Sequence, residues 1–372
     1  MAVSSARATD SAAFLPAALT RVARAIVERG GSEPAEAQLL AENLVMANAS
    51  GHASHGVGML PRYVDSLLES GLLANQHVHV ELDTGPLLRL DGCRGYGQVV
   101  GREAMALGIE RAQRHGICAV ALANAHHLGR IGHWAEQCLE HGLVSIHFVN
   151  VVARPIVAPF GGLEARNGTN PICMAVPRPG KDPIVLDFAT SRIAQGKTRV
   201  AHNRGERLAP GNLIDDHGEP TTDPRFTVVP PFGALLPFGE YKGFGLSLFA
   251  DLLGGALTGG GTCRRPYSGS KQILNGMLSI LIDPSHLGTA RHFADETEAY
   301  LEWIGRCRVP EGSTGITIAG DPERAARART KAEGIVLDRT SWNEILTGGE
   351  KLGLPRAEAE RMLEAQPSAA PR

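Results

Sequence analysis

Near residue 76 the hydrophobic pattern changes period, and that change constrains the fold more than any other feature. Upstream, apolar residues repeat at helical spacing: Leu19, Val22, Ala23 and Ile26 fall on one helix face. Ser32 then precedes a second helix with Glu33 and Pro34 in its first turn. Helical character breaks at the glycine-rich stretch 51–58 and resumes to about Leu68. Downstream, residues 87–90, 119–122, 144–149, 184–187, 277–282 and 314–318 read as short strands, with helices at 103–114, 135–140 and 190–200. Residues 244–257 are so apolar that they predict a helix buried all round. From Pro322 the chain is helical again. The expected class is therefore α/β: residues 1–75 and 321–372 form a helical domain, and 76–320 an α/β region that binds cofactor and substrate. Residues 1–13 and the tail from Gln366 predict frayed ends.

A chain of 372 residues has room for two domains and a full core. Its formal charge of −2 gives no global basic surface for nucleic acid or anionic lipid. No apolar run reaches the ~20 residues that span a bilayer, and no secretory leader pattern opens the chain. The six cysteines form no C-x-x-C pair, which predicts mostly buried, reduced thiols and a cytoplasmic setting.

One motif invites a misleading reading. Gly95-Tyr-Gly97-Gln-Val-Val-Gly101 follows a strand and opens a helix, as a Rossmann fingerprint does. Its third glycine comes one residue late, where the fingerprint needs a small residue at Val100, and no acidic residue closes the next strand. A strand-to-helix turn is the better reading.

Five other clusters carry candidate chemistry. Gly51-His52-Ala53-Ser54-His55-Gly56-Val57-Gly58 sets a hydroxyl beside an imidazole able to exchange protons near neutral pH. A solvated turn explains the same pattern. Asn124-Ala-His126-His127-Leu-Gly129-Arg130-Ile131-Gly132-His133 follows a strand, where ligands commonly meet α/β sheets, and Arg130 can pair with phosphate. Metal ligation by its histidines is disfavoured because no carboxylate or thiolate sits at ligand spacing. Gly161-Gly162 to Gly168-Thr169-Asn170-Pro171 reads as consecutive turns. Asp187-Phe188-Ala189-Thr190-Ser191 ends a strand, with Thr190 or Ser191 as cap of the next helix and Asp187 placed to orient a histidine. Gly239-Glu240-Tyr241-Lys242-Gly243 opens the apolar helix and offers Lys242 to an anion.

Taken in order, Ser54-His55-Gly56-Val57, Asn124…His127…Gly129, Gly168-Thr169-Asn170-Pro171, Asp187…Ala189-Thr190-Ser191, Pro220-Thr-Thr-Asp-Pro224 and Lys242-Gly243-Phe-Gly-Leu246 resemble the type 2 malate/L-lactate dehydrogenase family over roughly 15–354. The resemblance implies a non-Rossmann nicotinamide-binding fold, NAD or NADP as cofactor, a 2-oxo or 2-hydroxy acid as substrate, and a homodimer with its site between domains. By motif, His55 is the implied proton donor to the carbonyl, supported by Ser54 and Asp187, with His127 a second acid/base or substrate contact. The implied cofactor lining is His55, Gly129, Arg130, Ile131, Asp187, Phe188, Ala189, Thr190, Ser191, Tyr241, Lys242, Asn275, Gly320, Asp321, Pro322 and Glu323.

Three positions depart from the common family pattern. Met59 stands where many members carry Arg, which argues against small dicarboxylates and for larger or aromatic 2-oxo acids; Ala53 replaces Asp, and Tyr241 replaces His. Reduction of a cyclic imine carboxylate is the nearest alternative. A metal-dependent hydrolase and a non-catalytic dinucleotide binder are alternatives of other classes.

Overall fold

The computed structural model describes residues 11–264 and 269–364. Helices α1 (Pro16–Arg29) and α2 (Pro34–Ala49) each start on a proline at the first helical position, where the missing N–H costs nothing. The predicted stripe Leu19, Val22, Ala23 and Ile26 is buried. Residue Glu33, rather than Ser32, stands at the start of α2. Helix α3 (Leu60–Leu68) follows two single 3-10 turns, Ala53–His55 and Val57–Met59.

Strand β1 (Ser11–Phe14) corrects the expectation that residues up to 13 are frayed. It pairs antiparallel with a strand near the other end of the chain, Ser11 opposite Asp338 and Phe14 opposite Ile335. Phe14 packs on Trp342 with ring centroids 4.8 Å apart, which anchors the pairing. Residues 1–10 and the predicted loose tail from Gln366 lie outside the described residues.

The central elements are β2 (His79–Asp83), β3 (Leu87–Asp91), α4 (Gly97–His115), β4 (Ile117–His126), α5 (Gly132–Leu139), β5 (Val144–Val152), β6 (Ile172–Val176) and β7 (Ile184–Phe188). After these come α6 (Gln195–Arg204), β8 (Leu213–Ile214), β9 (Pro220–Thr221), α7 (Arg225–Val228), β10 (Ala234–Leu235), α8 (Tyr241–Ala250) and β11 (Leu274–Ile282). The chain closes with α9 (Ala290–Gly305), α10 (Asp321–Glu333), β12 (Ile335–Asp338, the partner of β1), α11 (Arg339–Lys351) and α12 (Arg356–Glu364). A seven-stranded sheet runs β2-β3-β4-β11-β5-β6-β7. Strands β3 and β4 are parallel, joined by α4, and the other pairs are antiparallel.

Two large apolar cores result, beside smaller clusters around Ile156 and Ile214. One joins the chain ends: Leu19, Ile26, Leu40 and Leu44 pack with Tyr63, Ile335, Ile345 and Leu354. The other lies between the sheet and α4–α5, around Leu90, Met105, Leu122, Trp134 and Met277.

The apolar stretch 244–257 departs from expectation. It is helical (α8, then a π-helical segment Asp251–Ala256), yet Leu248, Phe249, Leu252 and Leu257 are exposed. Its small residues Ala250, Gly254 and Gly255 take the buried side, so the large apolar side chains point away. The strand predicted at 314–318 is absent. That stretch is irregular and mostly exposed, and it meets β7 through a bond from Val185 N to Ala319 O at 3.2 Å.

Candidate active site

The turn carrying His55 is held from beneath. Asn48 Oδ1 accepts the Val57 amide at 2.8 Å. A Cβ on Gly56 would overlap the Asn48 carboxamide, so a side chain there would dislodge the turn. Ser54 Oγ lies 3.0 Å from His55 Nδ1, and the start of α6 abuts Ser54 at Gly196. The hydroxyl therefore orients the ring and leaves Nε2 for a ligand. Burial, then the neighbouring His52 and Arg130, lowers the His55 pKa to about 4, so its imidazole is neutral at pH 7.

His127 sits just past the end of β4. Its ring stacks on that of His55, centroids 5.5 Å apart and planes 12° from parallel. Burial and the adjacent His55 hold it neutral, with its pKa well below the ordinary histidine value. Asn275 on β11 fixes the following residue: its Oδ1 accepts the Leu128 amide at 2.8 Å and its Nδ2 donates to Asn150 O at 2.8 Å.

Asp187 is the penultimate residue of β7, and its side chain is buried. Its Oδ2 accepts the Gly132 amide at the start of α5 at 2.7 Å and lies 3.9 Å from Arg130 Nε. Burial raises its pKa against the opposing pull of His52 and Arg130. His52 is the histidine whose charge acts on Asp187, and its Nε2 is 3.0 Å from Glu323 Oε1 on α10. That contact is the leading cause of a lowered Glu323 pKa.

These groups face one crevice of about 1310 Å³ between the N-terminal turn, the ends of β4 and β7, α6, α10 and α11. Of the residues expected from sequence, Ser54, His55, His127 and Asp187 line it. So do Gly129, Arg130, Ile131, Phe188, Ala189, Ser191, Asn275, Pro322 and Glu323.

Several expected contacts fall elsewhere. Arg130 is 2% exposed, and its two terminal nitrogens are held by Glu136 at 3.0 and 2.8 Å, so they are not free for phosphate. Thr190 is buried behind the crevice and donates to Thr169 O at 2.8 Å; Ser191 donates to Ile193 O at 2.8 Å. Neither caps α6, which begins four residues later. Tyr241 is 62% exposed, edge-on to Phe160, with Lys242 beside it, and neither reaches the crevice of this chain. Gly320 borders a separate pocket of about 130 Å³, and Asp321 is paired with Arg324.

The Rossmann-like turn is closed to ligands. A Cβ on Gly97 would overlap the carbonyls of His126 and His127, so the start of α4 is covered by the very loop that carries His127. Val100 is fully buried in the core. Tyr63, whose hydroxyl lies 2.6 Å from His127 Nδ1, and Gln98, which donates to Tyr63, belong to neither histidine-bearing motif. Among the described residues no group of three or more His, Cys, Asp or Glu is placed to hold a metal ion. Nor is any described helix long and apolar enough to cross a membrane.

The family model for malate/L-lactate dehydrogenase matches residues 15–346. Hydroxycarboxylate dehydrogenase B of Escherichia coli (strain K12) is 46% identical over 89% of this chain and 92% of its own length. A Δ1-pyrroline-2-carboxylate/Δ1-piperideine-2-carboxylate reductase of Pseudomonas syringae pv. tomato is 36% identical over 85% of this chain and 90% of its own. Among solved structures, sulfolactate dehydrogenase from Methanocaldococcus jannaschii superposes with a TM-score of 0.82 at 29% identity, covering 93% of this chain and 99% of that one. The chain is therefore a member of the malate/L-lactate dehydrogenase family.

Proposed function

We propose that the chain is an NAD(P)-dependent 2-hydroxycarboxylate dehydrogenase that interconverts 2-hydroxy and 2-oxo acids and favours larger or aromatic substrates. The observation that carries this reading is the Ser54–His55 pair stacked on His127 at the wall of the crevice. A neutral imidazole there takes the hydroxyl proton in oxidation and returns it to the carbonyl oxygen in reduction.

The crevice suits the cofactor. Ligand pockets usually enclose about 300–1,000 Å³, so this one has room for a dinucleotide and a small acid together. Its lining sets apolar Ile131, Phe188 and Ile193 beside the cationic Lys197, Arg199 and Arg329, as a nicotinamide ring and phosphates require. Bound there, the nicotinamide supplies or accepts the hydride. Gly129, Ile131, Phe188, Ala189, Pro322 and Glu323 would hold it, with Asp187 fixing the start of α5 nearby. Met59 lines the same crevice and offers a thioether where an arginine would select a second carboxylate.

The reading also sets a homodimer in the cytoplasm. Exposed Leu248, Phe249, Leu252 and Leu257 offer an apolar face for a second copy, and the free cysteines suit a reducing compartment. Tyr241 and Lys242, on that same helix, would reach a cofactor only across the interface.

Oxidation of NADH and of NADPH, followed by absorbance, tests the reading against pyruvate, oxaloacetate, 2-oxoglutarate, phenylpyruvate and piperideine-2-carboxylate. Turnover of phenylpyruvate above oxaloacetate is expected. Turnover of the cyclic imine alone moves the activity to imine reduction, and no turnover of any 2-oxo acid sinks the dehydrogenase reading.

A further inference from the structure

Tyr63 is 1% exposed on α3, boxed edge-on by Tyr96 (6.0 Å) and His126 (5.4 Å). Its hydroxyl lies 2.6 Å from His127 Nδ1 and accepts a hydrogen bond from Gln98 Nε2 at 3.1 Å. Gln98 is itself fully buried. With the Gln98 amide donating to the phenol oxygen, the phenol hydrogen has one acceptor in reach, His127 Nδ1. Leaving that hydrogen without an acceptor in a dry interior would cost more than a hydrogen bond normally returns. Burial keeps the phenol protonated and the imidazole neutral, so donor and acceptor are both in the required state. A neutral ring that accepts at Nδ1 carries its proton at Nε2. That nitrogen has no protein partner among the described residues, and His127 borders the crevice beside His55.

We propose that Tyr63, itself fixed by Gln98, is a positioning residue that locks His127 as the Nε2–H tautomer, so that a neutral donor faces an oxygen of the bound 2-oxo acid next to the proton-exchanging His55. The proposal rests on the dehydrogenase reading for its substrate and on the Tyr63–His127–Gln98 geometry for its tautomer. It divides the labour of the stacked pair. His55 changes protonation state during turnover. His127 does not, because an imidazolium there would lose the phenol's hydrogen bond.

Two measurements on the full-length protein decide it. In spectra of 15N-histidine-labelled protein at neutral pH, His127 is expected to show a protonated Nε2 and a bare Nδ1, and Tyr63→Phe is expected to mix the tautomers. In kinetics, Tyr63→Phe should raise KM for the 2-oxo acid about tenfold while leaving NAD(P)H affinity unchanged. His127→Gln, which places an amide donor near the Nε2 position, should retain more activity than His127→Asn. A protonated Nδ1 in the parent protein, or a Tyr63→Phe variant with the parent's spectrum and KM, overturns the proposal. The spectrum reads the tautomer without substrate, so a protein that turns over no 2-oxo acid fails the dehydrogenase reading while the tautomer is still decided.

Discussion

The imidazoles of His55 and His127 lie face to face, 5.5 Å apart and 12° from parallel, although one comes from an N-terminal turn and the other from the end of a central strand. A charge on His55 disfavours one on His127, so the neutral pair takes up at most one extra proton at a time. If His55 is the member that exchanges it, His55→Ala should lower kcat about 100- to 10,000-fold, the usual worth of a general acid or base. Cofactor affinity, measured by fluorescence titration, should stay within a few-fold. Near-normal turnover would remove His55 from the role.

Direction matters for the pH profile. With its pKa lowered to about 4 by burial, free His55 is in its base form across neutral pH. Oxidation of the hydroxy acid should then show a level kcat/KM from pH 8 down to about 5.5, falling as pH nears 4. Reduction needs the conjugate acid, so its kcat/KM should decline as pH rises above that value. A bound substrate carboxylate favours the imidazolium, so the acid limb of kcat should sit higher than that of kcat/KM. An oxidation limb centred near 6.5 in kcat/KM would contradict the burial of His55.

Gly97 and Gly305 make a matched test of packing. At Gly97 a Cβ would overlap the backbone carbonyls of His126 and His127, whereas at Gly305 nothing lies within 4 Å. Gly97→Ala should destabilise the protein by about 1–3 kcal/mol, the usual cost of overpacking, and should displace His127 enough to impair turnover. Gly305→Ala, at the end of α9, should leave the denaturation midpoint unchanged or raise it slightly. Equal midpoints for the two variants would contradict the close approach of α4 to the His127 loop.

Acid should unfold this protein through its buried histidines. Burial lowers the pKa of both His126 and His147 to about 3, and His147 sits between Ser279 Oγ (2.8 Å) and Ser145 Oγ (3.0 Å). Unfolded, each binds a proton near 6.5; folded, only near 3. Between those values the unfolded state holds more protons, so stability is lost as pH falls from about 6.5 towards 3. Each such histidine contributes a slope of up to about 1.4 kcal/mol per pH unit. Urea midpoints between pH 7 and 4 should fall accordingly, and less steeply for His147→Gln. An unchanged slope in that variant would assign the acid lability elsewhere.

Much of this architecture is legible in the residues themselves. The helical repeat of Leu19, Val22, Ala23 and Ile26 places α1 because all four side chains are buried on one face. The misplaced glycine of the Rossmann-like turn is equally readable, since Val100 belongs to the core. What escapes is what depends on distant partners. A four-residue strand such as β1 has no local signal when its partner, β12, lies near the opposite end of the chain. Arg130 looks like a phosphate ligand until Glu136, six residues on, takes its guanidinium. Tyr63 reads as one more apolar position of α3, and only the fold brings its hydroxyl to His127. Residues 244–257 mislead because composition reports how apolar a helix is, while exposure depends on which of its side chains are small.

Strand β11 lies between β4 and β5, although β6 to β10 and helices α6 to α8 are made between β5 and β11. During synthesis both flanking strands leave the ribosome with their inward edges open, and those edges stay unsatisfied until residue 282 has emerged. Open edges of this kind invite pairing with other chains. Translation that pauses or terminates inside the 152–274 interval would leave a sticky, incomplete sheet. Ribosome-associated chaperones should therefore engage this chain longest over that interval, and prematurely ended products should be cleared or aggregate.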